Sequence, residues 1–472
     1  MFNHFVKVVE MDARMERFEE YVLMISEHLG HADRVAPFRG YCAGLLLPGE
    51  RKSVEPMAAR VAPTEVRSAH QRLHHFVADA AWSDKALLGA VREHVLAAAG
   101  KSSGPPEVLI IDDTGYPKKG KHSVGVARQY CGQLGKQDNC QVAVSVSLAN
   151  EHYSVPVGYR LYLPKDWSAD PIRRKKAKVP EDIEFATKPQ IAMGLIDEAR
   201  ASWEIPQTVL ADAGYGIDTA FRDQLSERGL QYVVGITGAV SVWPKGEGPL
   251  PPAPWSGKGR KPKLLRRDAQ HKPISVKALA LGLSPRQWKT ITWREGTNQA
   301  LSSRFAAVRV HCAYRDYWSS TQRPEQWLLI EWPRYEREPI KYFLSTLPAD
   351  TPIEELVRVT KLRWRIERDY QELKQEFGLD HFEGRSWRGF HHHASLSICA
   401  YGFLLAERLA YPKKTLRHPI LGEIPALPED FRPRGSPART APRTGFDHHP
   451  TAGTRRRTDR TDPTLPVLRK AS

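Results

Sequence analysis

Two aspartates share one setting in the sequence, because each ends a short apolar run and precedes small or turn-forming residues. Asp112 ends the run VLIID, and Asp212 ends the run TVLAD. In a mixed α/β sheet, ligand sites collect at the carboxyl ends of strands. Two carboxylates brought together there repel one another unless a cation lies between them, and hard divalent cations prefer oxygen ligands. The pair therefore predicts a metal site, although either aspartate alone is more typical of a turn or a helix cap.

A third carboxylate is expected from the strongest helical segment of the chain, residues 352–378. Spacings of four, three and four residues separate Arg363, Glu367, Tyr370 and Lys374. Residues so spaced project from one helix face. Glu367 is then the predicted third metal ligand, and Arg363 and Lys374 suit phosphates on either side of a scissile bond. Taken alone, the same spacing is typical of a solvated helix face with salt bridges.

The elements that position these groups follow from the periodicity of the chain. Residues 1–100 predict short helices, whose Arg and His residues suit either a DNA-binding domain or a helical packing domain. A mixed α/β domain is predicted for 105–236 and 346–410, with a three-stranded meander followed by strands that alternate with helices. Between them, 237–345 is expected to be a β-rich insertion with a basic loop. The many prolines and basic residues of 411–472 predict a disordered tail.

Composition narrows the class of partner. The 472 residues carry 70 Lys and Arg against 54 Asp and Glu, a net charge of +16, and 41% are hydrophobic. Such an excess favours a polyanion, and nucleic acid leads in a chain without a membrane anchor. No apolar run approaches a membrane span and the N-terminus lacks a signal-peptide layout, so we expect a cytoplasmic protein that does not bind membranes. Five scattered cysteines predict free thiols rather than disulfides or a zinc site.

Three separated motifs resemble one known family. They are IIDDTGYPKKGKHSVGVARQYCGQLGKQDNCQVAVSVSLAN, VLADAGYG and LRWRIERDYQELKQEFGLDHFEGRSWRGFHHH, in that order along the chain. Together they resemble bacterial insertion-sequence transposases of the DDE superfamily. The last motif is similar to the branch with a Tyr-x2-Arg-x3-Glu-x6-Lys signature, since Arg363, Glu367 and Lys374 match its spacing. Thr360 stands at the tyrosine position, which departs from the signature.

The resemblance implies a ribonuclease-H-like catalytic domain, interrupted before its last helix by the β-rich insertion. It also implies two Mg²⁺ ions, replaceable by Mn²⁺, held by Asp112, Asp212 and Glu367. The implied reaction is cleavage of double-stranded DNA at terminal inverted repeats and transfer of the 3′ ends to target DNA. Bringing two ends together implies a homodimer on DNA, associated with the nucleoid in a bacterial cytoplasm.

For two of the three predicted metal ligands, a neighbouring carboxylate is an alternative. Asp113 is an alternative to Asp112, although motifs of the family usually place the ligand first in an Asp-x-Thr/Ser pattern, which this sequence fits. Glu372 is an alternative to Glu367, although it lies off the helix face that carries the two flanking basic residues. The sequence therefore favours Asp112 and Glu367 and leaves both alternatives open.

Further basic residues are predicted to hold phosphates of the DNA backbone. They follow the first aspartate or lie in the basic loop of the insertion: Lys118, Lys119, Lys121, Arg128, Lys258, Arg260, Lys261, Lys263, Arg266 and Arg267. Trp318 is expected to pack in a core rather than to stack on a DNA base. The run from His391 to His393 is not expected to share a metal, because consecutive helical residues point in different directions.

Three other functions compete with the transposase hypothesis. A hydrolase of the haloacid dehalogenase type needs a second aspartate two residues after the first, where Thr114 stands. A ribonuclease-H-like nuclease without strand transfer leaves the basic insertion and the N-terminal helices unexplained. A transposase-derived DNA-binding regulator need not retain all three carboxylates, which are all present in this chain.

Overall fold

A single sheet of twelve strands is the centre of the fold in the residues that this computed structural model describes, 2–294 and 301–411. Helices pack against the sheet, so the predicted α/β class is confirmed. The strands are β1 (Val108–Pro117), β2 (Ala127–Cys131), β3 (Lys136–Ala149), β4 (Ser154–Leu161), β5 (Thr208–Ala211), β6 (Gln231–Ile236), β7 (Ser241–Pro244), β8 (Ile274–Ser275), β9 (Lys289–Arg294), β10 (Leu301–Cys312), β11 (Glu325–Trp332) and β12 (Lys341–Ser345). The helices are α1 (Phe2–Ser26), α2 (Val35–Leu46), α3 (Val54–Val61), α4 (Val66–Ala78), α5 (Asp84–Ser103), α6 (Lys165–Ser168), α7 (Pro171–Lys176), α8 (Lys188–Ser202), α9 (Ala213–Gly216), α10 (Thr219–Glu227), α11 (Val276–Gly282), α12 (Ile353–Leu362), α13 (Trp364–Gln375) and α14 (Trp387–Ala410).

Strand β1 is central to the part of the sheet that carries the two aspartates. It pairs antiparallel with β3 and parallel with β5, and β5 pairs parallel with β6. Both β2 and β4 pair antiparallel with β3. An antiparallel group followed by parallel strands is consistent with the expected ribonuclease-H-like sheet. Strand β5 consequently ends beside the middle of β1, where Ala211 lies opposite Ile111.

The segment 237–345 extends this same sheet. Strand β12 pairs antiparallel with β6, and β11, β10, β7 and β8 continue outward from it, with β9 beside β10. The segment is rich in strands, which reach β6 through β12 rather than forming a sheet of their own. Its standing as an inserted domain stays a prediction. Residues 295–300, and the predicted tail from 412 to 472, lie outside the described residues.

The first strand is longer than the sequence predicts. An end was expected at Asp112, but β1 continues to Pro117, because the 14-residue strand β3 pairs with it as far as Cys140. Its pairing with β5 stops earlier, where Ile111 lies opposite Ala211. Asp112 therefore keeps a strand neighbour on one side only. Strand β2, which is mostly polar, has no counterpart in the prediction.

The segment predicted as one long helix forms two helices. They meet at Arg363, which keeps right-handed helical angles (φ −55°, ψ −31°) and lies between α12 and α13. The apolar side of both helices is buried, as Leu362 and Ile366 show. Gly378 follows α13 with a φ of 60°, a left-handed angle that favours glycine at the end of a helix. The break falls at the residue whose side chain pairs with Asp112 and Glu367.

The N-terminal helices share a core with the sheet-bearing part of the chain. Helix α5 packs along α14. The hydroxyl of Tyr21 in α1 donates to the carbonyl of Cys399 in α14 at 2.8 Å. The hydroxyl of Tyr41 in α2 lies 2.9 Å from Nδ1 of His393. Packing is therefore one role of residues 1–100, and their DNA-binding role stays a prediction.

The consecutive histidines of α14 contact different parts of the chain. All three are buried, and each ring has its own pair of partners, so the three rings do not converge on one point. The partners are Leu161 and Trp387 for His391, Val77 and Trp82 for His392, and Tyr41 and Gly378 for His393. A neutral His393 with its proton on Nε2 satisfies both partners, since it accepts from Tyr41 and donates to Gly378.

His393 should make the protein less stable in acid. Burial lowers the pKa of His393 to about 4, from an ordinary value of 6.5. Because the unfolded chain binds this proton more readily, the contribution to stability is fully present above about pH 6.5 and is lost as the pH falls toward 4. Between pH 7 and pH 5, this group alone should remove about 2 kcal/mol from the free energy of unfolding. Urea unfolding at the two pH values measures the difference.

The matched variants are His393→Gln and His28→Gln. The first removes the buried titrating group, so its stability should fall by about 2 kcal/mol less than that of the wild type between the two pH values. The second changes an exposed histidine and should keep the wild-type pH dependence. An unchanged pH dependence in His393→Gln contradicts the assignment of the acid sensitivity to this residue.

The five cysteines, all of them in described residues, are buried and free, as their spacing predicts. In the described ranges, none of the helices is long and apolar enough to cross a membrane.

Candidate active site

Two aspartates lie side by side at the point where the parallel pairing of β1 with β5 ends. Ile111 of β1 pairs with Ala211 of β5. Asp112 and Asp212 are the residues that directly follow these two. Neighbouring strands are about 4.8 Å apart, so the two side chains take adjacent positions. The structure thus brings together the two aspartates that the sequence singles out.

Asp112 is mostly buried and strongly perturbed. Its side chain is 15% exposed, and burial raises its pKa to about 7. The charge of Asp212 raises this pKa further, whereas Arg363 lowers it. The N–H of Asp113 donates to Oδ1 (2.8 Å), and Arg363 donates to Oδ2 (3.0 Å). A carboxylate buried beside another carboxylate is stabilised by a cation between them.

Asp212 also has a local structural role. Its Oδ1 accepts hydrogen bonds from the N–H groups of Gly214 (2.9 Å) and Tyr215 (3.3 Å), so it caps the short helix α9. The helix-cap interpretation of a strand-end aspartate therefore applies here as well. In the part of the chain that the structure describes, Oδ2 of Asp212 accepts no hydrogen bond from the protein. One oxygen remains for another ligand.

Arg363 pairs with two of the three predicted metal ligands. One of its guanidinium nitrogens is 3.0 Å from Oδ2 of Asp112, and another is 2.7 Å from Oε1 of Glu367. Burial acts to lower the pKa of Arg363, but the charges of Asp112, Glu367 and Asp212 outweigh it and raise the pKa above its ordinary value. Arg363 is thus the positive charge that balances this carboxylate cluster.

The oxygens of Asp112, Asp212 and Glu367 are of the kind that a hard divalent cation prefers, but the three side chains do not meet at one point. Among the described residues, no three carboxylate, histidine or cysteine side chains lie close enough together to hold a metal ion. Glu367 is 52% exposed and pairs with Arg363. Asp112 and Asp212 offer adjacent oxygen ligands. The role of Glu367 as a third ligand stays a prediction.

The two alternative carboxylates have other partners. Oδ2 of Asp113 lies 3.0 Å from Nζ of Lys188 and accepts from the hydroxyl of Tyr215 at 3.4 Å. Glu372 pairs with Arg408 at 2.7 Å, on α14. The ion pairs of Arg363 are with Asp112 and Glu367, not with these two carboxylates. The assignment of Asp112 and Glu367 as ligands stays a prediction, which these positions favour.

Lys188 is a residue of the site that spacing alone does not reveal. It begins α8, whose N-cap Thr187 forms a capping box with Gln190. The run Thr-Lys-Pro-Gln carries that capping signal in the sequence. It predicts that a helix begins at this lysine, but not the ion pair that the lysine forms with Asp113.

Two of the predicted phosphate ligands donate to protein oxygens. Nζ of Lys374 lies 2.8 Å from the carbonyl oxygen of Gly115, and Nζ of Lys118 lies 2.7 Å from that of Phe382. Burial lowers the pKa of both lysines. A phosphate would have to compete with these carbonyl groups. Lys119, Lys121 and Arg128, in contrast, are exposed.

The basic loop divides into exposed and anchored residues. The exposed ones are Lys258, Arg260, Lys261, Lys263 and Arg266. Arg267 pairs at 2.5 Å with Asp316, whose side chain is almost fully buried. Its guanidinium also lies 5.0 Å from the ring centre of Tyr317. Arg267 therefore anchors the loop, because two of its three guanidinium nitrogens already donate to protein oxygens, and its predicted contact with phosphate stays a prediction.

Trp318 does not pack in a core, so that expectation is wrong. Its side chain is 60% exposed. The guanidinium of Arg315 lies 4.7 Å from its ring centre, and the ring of Tyr317 meets it edge-on at 5.7 Å. The tryptophan follows a tight turn at Arg315, which has a φ of 50°. That geometry holds the ring at the surface.

Comparison with known proteins identifies relatives of this chain. Residues 25–300 match the family described as DDE superfamily endonuclease. A probable transposase for insertion sequence element IS701 from Microchaete diplosiphon is 34% identical over 167 residues. That alignment covers 35% of this chain and 40% of the relative. The chain is therefore aligned with less than half the length of this relative.

Proposed function

Because the chain belongs to the DDE superfamily endonucleases, which match it over residues 25–300, we propose that it is the DNA transposase of an insertion sequence. The observation that carries the proposal is geometric: Asp112 and Asp212 take adjacent positions on β1 and after β5, and Arg363 pairs with both Asp112 and Glu367. The proposed reaction is cleavage of DNA at the transposon ends, followed by transfer of the 3′ ends to target DNA. The likeness to a protein named as a probable transposase supports it.

Asp112, Asp212 and Glu367 would hold two divalent cations, with Mg²⁺ as the natural ion and Mn²⁺ as a substitute. Their oxygens are the ligands that such ions prefer. When bound, the ions activate the attacking water or 3′-hydroxyl and stabilise the leaving oxygen of an in-line displacement. Binding and orientation of the DNA are left to the side chains around them.

Arg363 is suited to exchange its carboxylate partners for a phosphate of the DNA. Its planar guanidinium matches a carboxylate and a phosphate equally well. Once other positive charge balances the carboxylates, Arg363 is free to hold a phosphate beside the scissile bond, and Glu367 is released toward the aspartates. The hydroxyl of Tyr370 lies 2.5 Å from Oγ of Ser145 and ties α13 to β3. This contact keeps the helix in place while the arginine changes partners.

We infer a ribonuclease-H-like catalytic domain with an inserted β-rich segment, and membership of the branch with the Tyr-Arg-Glu-Lys signature. At the tyrosine position, Thr360 is buried and its hydroxyl donates to the carbonyl of Leu356 at 2.6 Å. The proposed partner is double-stranded DNA with terminal inverted repeats, bound by a homodimer. A transposase-derived regulator without catalysis, or a nuclease without strand transfer, is the alternative.

Wild-type protein should cut DNA that carries the terminal repeats of its element when Mg²⁺ or Mn²⁺ is present, and should leave 3′-hydroxyl ends. The physical reason is the carboxylate cluster, which needs cations before it can work on a phosphodiester. End-labelled DNA resolved at nucleotide resolution maps the cuts, and a second labelled duplex reports strand transfer. Reactions with chelator are the control. Binding without any cut supports the regulator, and cuts without joined products support the nuclease.

A further inference from the structure

Helices α3 and α4 form a short helix-turn-helix. They are 8 and 13 residues long, and only residues 62–65 separate them. Helix α2 packs on both of them. Two helices joined by a tight turn and supported by a third are the arrangement in which the second helix enters a groove of DNA. The supported helix here is α4.

The outer face of α4 carries hydrogen-bond donors, and the acid beside it is the N-cap residue Glu65, which lies 3.6 Å from the guanidinium of Arg72. Its inner face is buried through Ala69, Leu73, Phe76 and Val77. The exposed residues are Arg67, Ser68, Gln71, Arg72, His74 and His75. Steps of four and three residues arrange them in two neighbouring stripes. Since residues 66–78 contain no Asp or Glu and expose no large apolar side chain, this face suits a polyanion better than an apolar protein surface.

More positive charge borders the end of α4. Asp79 follows the helix, and Nζ of Lys178 lies 2.9 Å from its Oδ1. Arg388 donates to the carbonyl oxygen of Asp79 at 2.9 Å. Lys178 closes the run RRKKAK, in which Lys175 and Lys176 are exposed. A DNA duplex seated on α4 would therefore meet further basic side chains along its backbone.

We propose that α4 is the DNA-recognition helix of the protein, lying in the major groove and reading base edges with Arg67 and Gln71. An α-helix fits the major groove, where arginine pairs with guanine and glutamine with adenine. Lys175 and Lys176 hold phosphates at the border and carry no sequence preference. The inference deepens the proposed function and rests on it, because a transposase must find the ends of its own element.

Selection from a library of random-sequence duplexes tests the proposal with the full-length chain. Wild-type protein should enrich one sequence. Gln71→Arg should change the preferred base at one position of that sequence, from adenine toward guanine. Arg67→Ala should reduce the preference for the enriched duplex over an unrelated one by about tenfold. A changed base preference cannot arise from misfolding, so the first variant separates recognition from stability.

Two controls complete the test. Arg200→Ala, at an exposed arginine of α8, should leave the enriched sequence unchanged. Lys175→Ala combined with Lys176→Ala should weaken binding to all duplexes alike and reduce its salt dependence. Base preferences that survive both α4 variants, or a wild-type protein that enriches no sequence, overturn the proposal. Binding is measured without divalent cations, so these outcomes are independent of whether the protein cuts DNA.

Discussion

Glu367→Gln is expected to reduce DNA cleavage by more than about a hundredfold and to leave binding of the transposon ends nearly unchanged. Glutamine keeps the shape of the side chain but offers a neutral amide, which is a poor ligand for a divalent cation. The side chain is half exposed, and its ion pair with Arg363 lies at the surface end of the cluster. Such pairs contribute about 1 kcal/mol or less, so the variant should fold. Mapping of 3′ ends measures cleavage, and gel shifts measure binding.

Glu372→Gln is the matched control, since it makes the same change five residues along the same helix. Glu372 pairs with Arg408 of α14 and with Arg368, so its loss should lower stability slightly and leave cleavage close to wild type. The opposite pattern, with cleavage lost in Glu372→Gln and kept in Glu367→Gln, shows that the other carboxylate is the ligand. Equal cleavage in both variants and the wild type removes α13 from the proposed active site.

The aspartate pair was accessible to sequence reasoning because its causes are local. Each aspartate follows a short apolar run that favours a buried strand, and each precedes residues that turn the chain. The structure adds the register, in which Ile111 lies opposite Ala211. The helix bearing Glu367 was equally accessible, because its apolar stripe is long and regular. Family membership, shown by the match over residues 25–300, agrees with the resemblance of the two aspartate motifs, and the helix of Glu367 lies beyond that match.

Other features were not accessible because they depend on distant parts of the chain. The extension of β1 to Pro117 requires the length of β3, and the break at Arg363 accompanies contacts with Asp112. The sequence identifies Lys118 and Lys374 as basic residues, but it does not show that each donates to a carbonyl oxygen. The position of Trp318 at the surface depends on a single turn. Local pattern therefore predicts elements, whereas partners of long polar side chains require the structure.

Asp112→Asn should likewise remove cleavage, by more than about a hundredfold, and should weaken binding of Mn²⁺. The asparagine keeps the hydrogen bond from the Asp113 N–H, because its amide oxygen can take the place of Oδ1. It removes the charge that faces Asp212 and that a cation would balance. The expected result is a folded protein with intact DNA binding and a cation affinity reduced at least about tenfold. Calorimetric titration with Mn²⁺ alone measures that affinity without any reaction.

Asp113→Asn separates the two neighbouring carboxylates. Its side chain faces Lys188 and the hydroxyl of Tyr215 rather than Arg363, so cleavage and Mn²⁺ affinity should stay near wild type. The variant leaves Lys188 without its ion pair, which should cost about 1 kcal/mol of stability. If Asp113→Asn loses Mn²⁺ binding while Asp112→Asn keeps it, the metal site includes the second aspartate of the pair. In that case Asp112, the partner of Arg363, would lie outside the metal site. Metal binding would then not release Arg363 from Asp112 to hold a phosphate.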